Sequence, residues 1–187
     1  MADNSFPELD TPRLRLRELQ HADAEALLAI HGDREAMQLW GVTPSADLPA
    51  VHDFIARCRA GRALPIPFLR WAIERKQDQA LLGTCGLFNW NPPWEKCMLG
   101  YELGRTAWKQ GFMGEALRVV IPWGFSHWKL HRIEALIEPA NQPSLRLAER
   151  LGFKVEGRLR EVAKWSEARH DMMQLSLLKH EFDSTIS

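Results

Sequence analysis

Apolar and polar residues alternate in TPRLRLREL (residues 11–19), with Leu14 and Leu16 set against Arg13, Arg15 and Arg17. A period of two predicts a half-buried strand with the arginines on one solvated face. Beyond it the apolar spacing lengthens. Ala24, Leu27 and Leu28, with Ile30 nearby, predict a helix that Asp23 caps and that runs to about Gly32. Val51, Phe54, Ile55 and Cys58 predict a second helix from Leu48 to Ala60, ended by Gly61 and kept from continuing by Pro65 and Pro67.

WAIER (71–75) and ALLGTCGLFNW (80–90) are apolar runs separated by the polar turn KQDQ, which reads as a hairpin, and CMLGYELG (97–104) reads as its third strand. A helix follows through Trp128, with Leu117, Val120, Ile121, Phe125 and Trp128 as its core stripe and Pro122 predicted to kink it. HRIEALIEP (131–139) sets Ile133, Ala135 and Ile137 on one face, as a strand does. A short helix comes next, with Asn141 as its cap and Gly152 just past its end. Strands at about 154–164 and 171–179 close the chain around the turn SEAR. The order β, α, α, β, β, β, α, β, α, β, β is that of a mixed α+β fold with strand-helix-strand units around a central sheet. Residues 1–10 read as a flexible leader to a single domain, and 187 residues can bury a core without disulfides or metal.

Charge narrows the function. The 24 basic side chains balance the 24 acidic ones, so no global field exists to hold nucleic acid or an anionic membrane. The arginines of the first strand are explained by an amphipathic strand rather than an RNA surface. Cys58, Cys85 and Cys97 form an odd set without CxxC spacing, which reads as reduced thiols in a cytoplasmic protein. The start MADNSFPELD has no basic-then-apolar signal, and no segment approaches 18 uninterrupted apolar residues. The seven histidines show no HExxH and no convergent acid or cysteine spacing, so no metal is expected.

The candidate chemistry lies in WKQGFMGEALRVV (108–120), where Gly111 and Gly114 flank a helix start. Two glycines there suggest close approach of a ligand to the backbone, and a helix N-terminus favours an anion. The GK[ST] ending of a triphosphate P-loop is absent, and no GxGxxG follows a strand. What remains is a series: GYELG, then WKQGFMGEA opening a helix, then IEPANQPS at a strand-to-helix junction, then RLGF.

At these residues the chain resembles the acetyl-CoA-dependent GNAT N-acetyltransferases, and among them the RimJ/RimL-like ribosomal-protein and small-amine acetyltransferases. The resemblance runs from TPRLRLREL to DMMQLSLL. It implies a GNAT fold, with a mostly antiparallel twisted sheet of about seven strands flanked by about four helices. The branch commonly writes WGKGYATEA where this chain has WKQGFMGEA, so Lys109 replaces glycine, Gln110 lysine, Met113 alanine and Gly114 threonine.

By the same resemblance, N–H groups of Gln110, Gly111, Phe112, Met113, Gly114 and Glu115 hold the CoA pyrophosphate. Glu115 should turn its side chain away, because its charge suits the helix dipole but repels a phosphate. Leu103 and its neighbours, on the strand that splays in this family, would pair with the pantetheine arm, and Arg150 would meet the nucleotide end, with a solvated helix face as the equal alternative. Asn141 and Ser144 match the family's NxxS, with Asn141 contacting the CoA arm and Ser144 protonating the leaving thiolate. Capping and a satisfied helix end are the competing explanations for these two.

Glu102 is the candidate base, acting through water if the register turns it to the site; many relatives place a glutamate where this chain has Met98. A thioester is already activated, so no protein nucleophile is needed. The implied acceptor is a primary amine, first a peptide or ribosomal-protein N-terminus. The alternatives are a drug, polyamine or amino acid, or a regulatory module that binds acyl-CoA without catalysis. A homodimer is compatible with an edge on the last hairpin. Trp40, Trp71, Trp90 and Trp94 either wall an acceptor groove or fill the core.

Overall fold

The computed structural model describes residues 5–44 and 47–186, with side chains through Phe182. Its sheet has eight strands: β1 (Leu9–Asp10), β2 (Leu14–Glu18), β3 (Leu69–Arg75), β4 (Leu81–Asn91), β5 (Lys96–Leu103), β6 (Arg132–Ile137), β7 (Lys154–Trp165) and β8 (Ala168–Leu178). They lie in the order β1-β2-β3-β4-β5-β6-β8-β7, antiparallel except for β5 beside β6. Six α-helices are present among the described residues: α1 (Ala24–His31), α2 (Arg34–Trp40), α3 (Leu48–Gly61), α4 (Phe112–His127), α5 (Gln142–Arg150) and α6 (Lys179–Ile186). The mixed α+β architecture expected from the sequence is thus the one observed, with one more strand and two more helices than anticipated.

Alternation divides the sheet between two cores. Leu14, Leu16, Trp71, Ile73, Cys85, Leu87, Cys97 and Leu99 face α4, which answers with Phe112, Met113, Leu117, Val120, Ile121 and Phe125. Leu19 and Ala72 join the core beneath α1 and α3, with Leu27, Val51, Ile55 and Cys58. α4 continues through Pro122 as one element. The proline's missing N–H is tolerated because apolar side chains on both sides of it are buried.

Three expectations are corrected. Arg17 is buried rather than on a solvated face: β2 carries it under α1, where its Nη1 and Nη2 each donate to Asp23 at 2.8 Å and its Nε to Glu74 at 2.5 Å. Asp23 therefore makes no side-chain cap on α1, its carboxylate being bound to Arg17 and to the Gln20 N–H. The expected leader is tied down over residues 5–10, because Phe6 packs edge-on to Trp71 and the Trp71 indole donates to the Pro7 carbonyl at 2.6 Å. Residues 1–4 of that leader lie outside the described residues.

Candidate active site

The turn between β5 and α4 has two left-handed residues, Lys109 at φ 61° and Gly111 at φ 80°. A lysine in that region is strained by roughly 1–2 kcal/mol, a strain that the glycine implied there by the resemblance would avoid. At Gly111 the backbone itself calls for glycine: an added Cβ would meet only the Arg13 Nη2, at 3.6 Å, so the space before the turn is open. Gly114 is different. Its φ is ordinary, and an added Cβ would make normal contact with Leu147 at 3.4 Å.

Gly111 is the N-cap of α4 and has no side chain to take the N–H groups of the first turn. Those groups and the helix dipole are of the kind that can receive an anion. The turn is held from outside. The Trp108 indole donates to the Leu103 carbonyl at 2.8 Å, the Gln110 side chain to the Thr106 carbonyl at 2.7 Å, and Arg13 Nη1 to the Gln110 carbonyl at 3.1 Å.

The Glu115 side chain is engaged by the start of β2. It accepts from the Thr11 hydroxyl at 2.6 Å, the Arg13 N–H at 2.9 Å and Arg13 Nε at 2.6 Å, clamping the start of β2 to α4. Burial pushes its carboxyl up, but the bonds from Thr11 and Arg13 outweigh that and hold it below the usual 4.5. A lowered carboxyl contributes stability that is complete above pH 4.5 and is lost as pH falls through the folded value. Glu115→Gln should therefore cost about 1–2 kcal/mol at neutral pH. In urea titrations the difference from the unmutated protein should shrink in acid; a constant difference would show that the charge is not its source.

Next to this turn the sheet opens. β5 pairs with β6 only from Lys96–Arg132 to Met98–Glu134, although β5 continues to Leu103 and β6 to Ile137. Two cavities meet at the opening. One, of about 340 Å³, lies on the α4 side and is lined by Leu103, Gly111, Gly114 and Arg150 among others. The other, of about 400 Å³, lies on the α2 side and is lined by Trp40, Arg70, Phe88, Met98 and Gly100 among others. Leu39, Tyr101, Asn141 and Ser144 line both.

At the junction the Tyr101 and Ser144 hydroxyls are 2.8 Å apart. Burial raises the Tyr101 pKa, with the Ser144 contact pulling the other way, so the phenol stays protonated at neutral pH. The Asn141 side-chain oxygen caps α5 by accepting from the Ser144 N–H at 3.2 Å, and its amide donates to the Leu39 carbonyl at 2.8 Å. One residue thus starts α5 and anchors α2 beside the opening.

Glu102, next along β5, points to the opposite face from Tyr101. It is buried, accepts from Arg70 Nη1 at 3.1 Å and from the Thr84 hydroxyl, and lies 3.4 Å from His31 Nε2. Both carboxylate oxygens are thereby engaged. This geometry suits an electrostatic anchor better than a free base.

Of the residues singled out from the sequence, Glu102, Leu103, Gly111, Phe112, Met113, Gly114, Asn141, Ser144 and Arg150 all line the α4-side cavity. The side chains of Phe112 and Met113 are buried in the core, so Met113 serves packing rather than ligand contact. Gln110 and Glu115 are not among the lining residues. The tryptophans separate: Trp40 lines the α2-side cavity, Trp71 is core, Trp90 stacks on Trp128 and Trp94 is exposed beside Lys96. Sequence reasoning missed Tyr101, Arg70, Thr84 and His31.

All three cysteines are free and buried, and burial pushes the Cys58 thiol up to about 11, which suppresses a nucleophilic thiolate. Among the described residues no group of three or more His, Cys, Asp or Glu is arranged to hold a metal, and no helix is long and apolar enough to cross a membrane.

The family model for the acetyltransferase (GNAT) domain matches residues 13–154. The uncharacterized N-acetyltransferase p20 of Bacillus licheniformis is 35% identical over 93% of this chain and 97% of its own. Two solved structures share the fold at lower identity. The spermidine N-acetyltransferase of Vibrio cholerae, in complex with CoA and spermine, is 19% identical with TM-score 0.79, covering 92% of this chain and 99% of that one. The ribosomal-protein-S5-alanine acetyltransferase of Vibrio fischeri is 21% identical with TM-score 0.78, covering 95% and 99%. With the left-handed turn, the parted strands and the NxxS junction in place, the chain belongs to the GNAT family of N-acetyltransferases.

Proposed function

We propose that this chain works as a single domain that transfers the acetyl group of acetyl-CoA, the family's donor, directly to a primary α-amine at a peptide or protein N-terminus. The observation that carries this reading is the opening between β5 and β6, where the cavities meet at Tyr101 and Ser144. Bound acetyl-CoA supplies an activated thioester. The N–H groups of residues 111 to 114 would hold its pyrophosphate, the Glu115 N–H being already donated to the Gly111 carbonyl at 3.1 Å, with Arg150 at its nucleotide end and backbone groups around Leu103 on the pantetheine arm.

Ser144, hydrogen-bonded to the Tyr101 phenol, would give a proton to the leaving sulfur. The amine must arrive neutral, and an α-amine with a pKa of about 8 is about a tenth neutral at pH 7. A site whose buried carboxylate is already committed to Arg70 and Thr84 therefore suits an α-amine better than a lysine-like one. The Vibrio fischeri structure, named for a ribosomal-protein alanine, supports the same choice.

Incubation with acetyl-CoA and a panel of N-terminal peptides and small amines, read by mass, tests the proposal. Acetylated peptide is the expected product. Acetylation confined to side-chain or polyamine nitrogens would reject the α-amine. No product and no amine-dependent release of free CoA would leave a binding module without catalysis. Ser144→Ala should lower kcat by about 10- to 100-fold while CoA affinity is retained; unchanged kcat, with chemistry limiting, would remove the acid role.

A further inference from the structure

Arg70 lines the α2-side cavity. On β3 it pairs with Gly86 of β4, which in turn pairs with Gly100 of β5. Two glycines in one row across adjacent strands leave a trough, and the Arg70 side chain reaches along it toward the opening. A Cβ added at Gly100 would lie 3.8 Å from Arg70 Nη2 and 2.8 Å from the Phe88 ring. Any larger residue there would displace one of them.

The guanidinium is fixed on several sides. Nη1 donates to Thr84 at 2.8 Å and to Glu102 at 3.1 Å, and the rings of Trp40 and Phe54 lie 5.5 and 5.6 Å from its central carbon. Both of its hydrogen bonds among the described residues use Nη1, which leaves the Nη2 edge toward the cavity. Glu102 lies deeper, at 3% side-chain exposure against 11% for Arg70. The pair is therefore a dipole with its positive end outward. Among the described residues lining this cavity, Arg70 carries the only formal charge; the remaining walls are aromatic, aliphatic or neutral.

We infer that Arg70 selects an acceptor amine that carries a carboxylate a few bonds from its nitrogen, and that polyamines are rejected. An apolar cavity with one oriented guanidinium attracts one carboxylate in a forked geometry. It offers nothing to a second ammonium, whose desolvation would go uncompensated beside a cation. The amine end is then directed to Tyr101 and Ser144, where the two cavities join. This inference rests on the proposed acetyl transfer to an α-amine. The carboxylate has two possible sources, an acidic side chain at a peptide's first residue or the carboxylate of a free amino acid.

The test uses the unmutated protein with acetyl-CoA and isosteric acceptor pairs: peptides beginning with Asp or Asn, free amino acids or their carboxamides, and spermidine as the cationic control. In one pair the carboxylate member should exceed its amide in kcat/KM by at least about tenfold, and the pair that shows this identifies the source. Arg70→Lys, which keeps the charge but not the fork, should reduce that ratio several-fold. Ratios near one in both pairs, or spermidine matching the best acceptor, overturn the inference while leaving acetyl transfer standing. Turnover of no acceptor overturns both readings.

Discussion

Gly111→Val is expected to weaken CoA binding by at least about a hundredfold, near 2.7 kcal/mol, while the fold survives. The reason lies in the backbone. Gly111 has φ 80° as the N-cap of α4, a region that an L-residue enters at a cost of roughly 1–2 kcal/mol and a β-branched one at more. Relaxing that angle rotates the peptide planes leading into Phe112 and Met113, and so misdirects the N–H groups that would meet the pyrophosphate. Misdirected donors lose both the hydrogen bonds and the aligned dipole.

Gly114→Val is the control, since its backbone is ordinary and an added Cβ meets Leu147 at 3.4 Å. It should act only by crowding the cavity, with a smaller loss. Calorimetric titration of CoA into both variants, beside their thermal unfolding, separates the cases. Unaltered affinity in Gly111→Val would remove the phosphate cradle, and equal losses in both would show that bulk rather than backbone angle matters.

What the sequence revealed and what it hid follow from the range of the forces involved. Helix α5 was legible because its signals are local: Asn141 caps it within three residues, and Gly152 follows it at φ 91°. Helices α2 and α6 and strand β1 were missed because each is short and draws its stability from packing rather than from a long period. Arg17 was misplaced for a related reason. Alternation correctly groups it with Arg15, but only the tertiary fold shows that α1 covers that face and brings Asp23 and Glu74 to the guanidinium.

The α4-side lining was largely named from the sequence, being built from two contiguous strand-to-helix junctions. Of the buried cluster on the other face only Glu102 was. Arg70, Thr84, Glu102 and His31 are far apart in the chain and are brought together by cross-strand register and by the packing of α1 on the sheet. The available signal was a charged residue in front of the apolar run WAIER, together with glycines at positions 86 and 100 that no turn explains.

That same cluster yields the second large effect: Glu102→Leu should destabilise the protein by about 3–5 kcal/mol, a large part of the stability of a typical domain. Glu102 has 3% side-chain exposure and Arg70 11%, so removing the carboxylate strands a cation with little water to replace its partner. Thr84 and His31 lose an acceptor at the same time. The loss would come from the unpaired charge rather than from any net strength of the pair, because desolvation cancels most of the attraction between buried ions. Joining Glu102→Leu to Arg70→Met should therefore restore most of the stability, with apolar groups of similar volume in place of both ions. Denaturant titration of the two single variants and the double variant gives the coupling directly. Strong positive coupling identifies Glu102 as the electrostatic support of the α2-side cavity's cation. Additive losses would instead place its importance outside the pair and return it to consideration as a base that contacts the incoming amine.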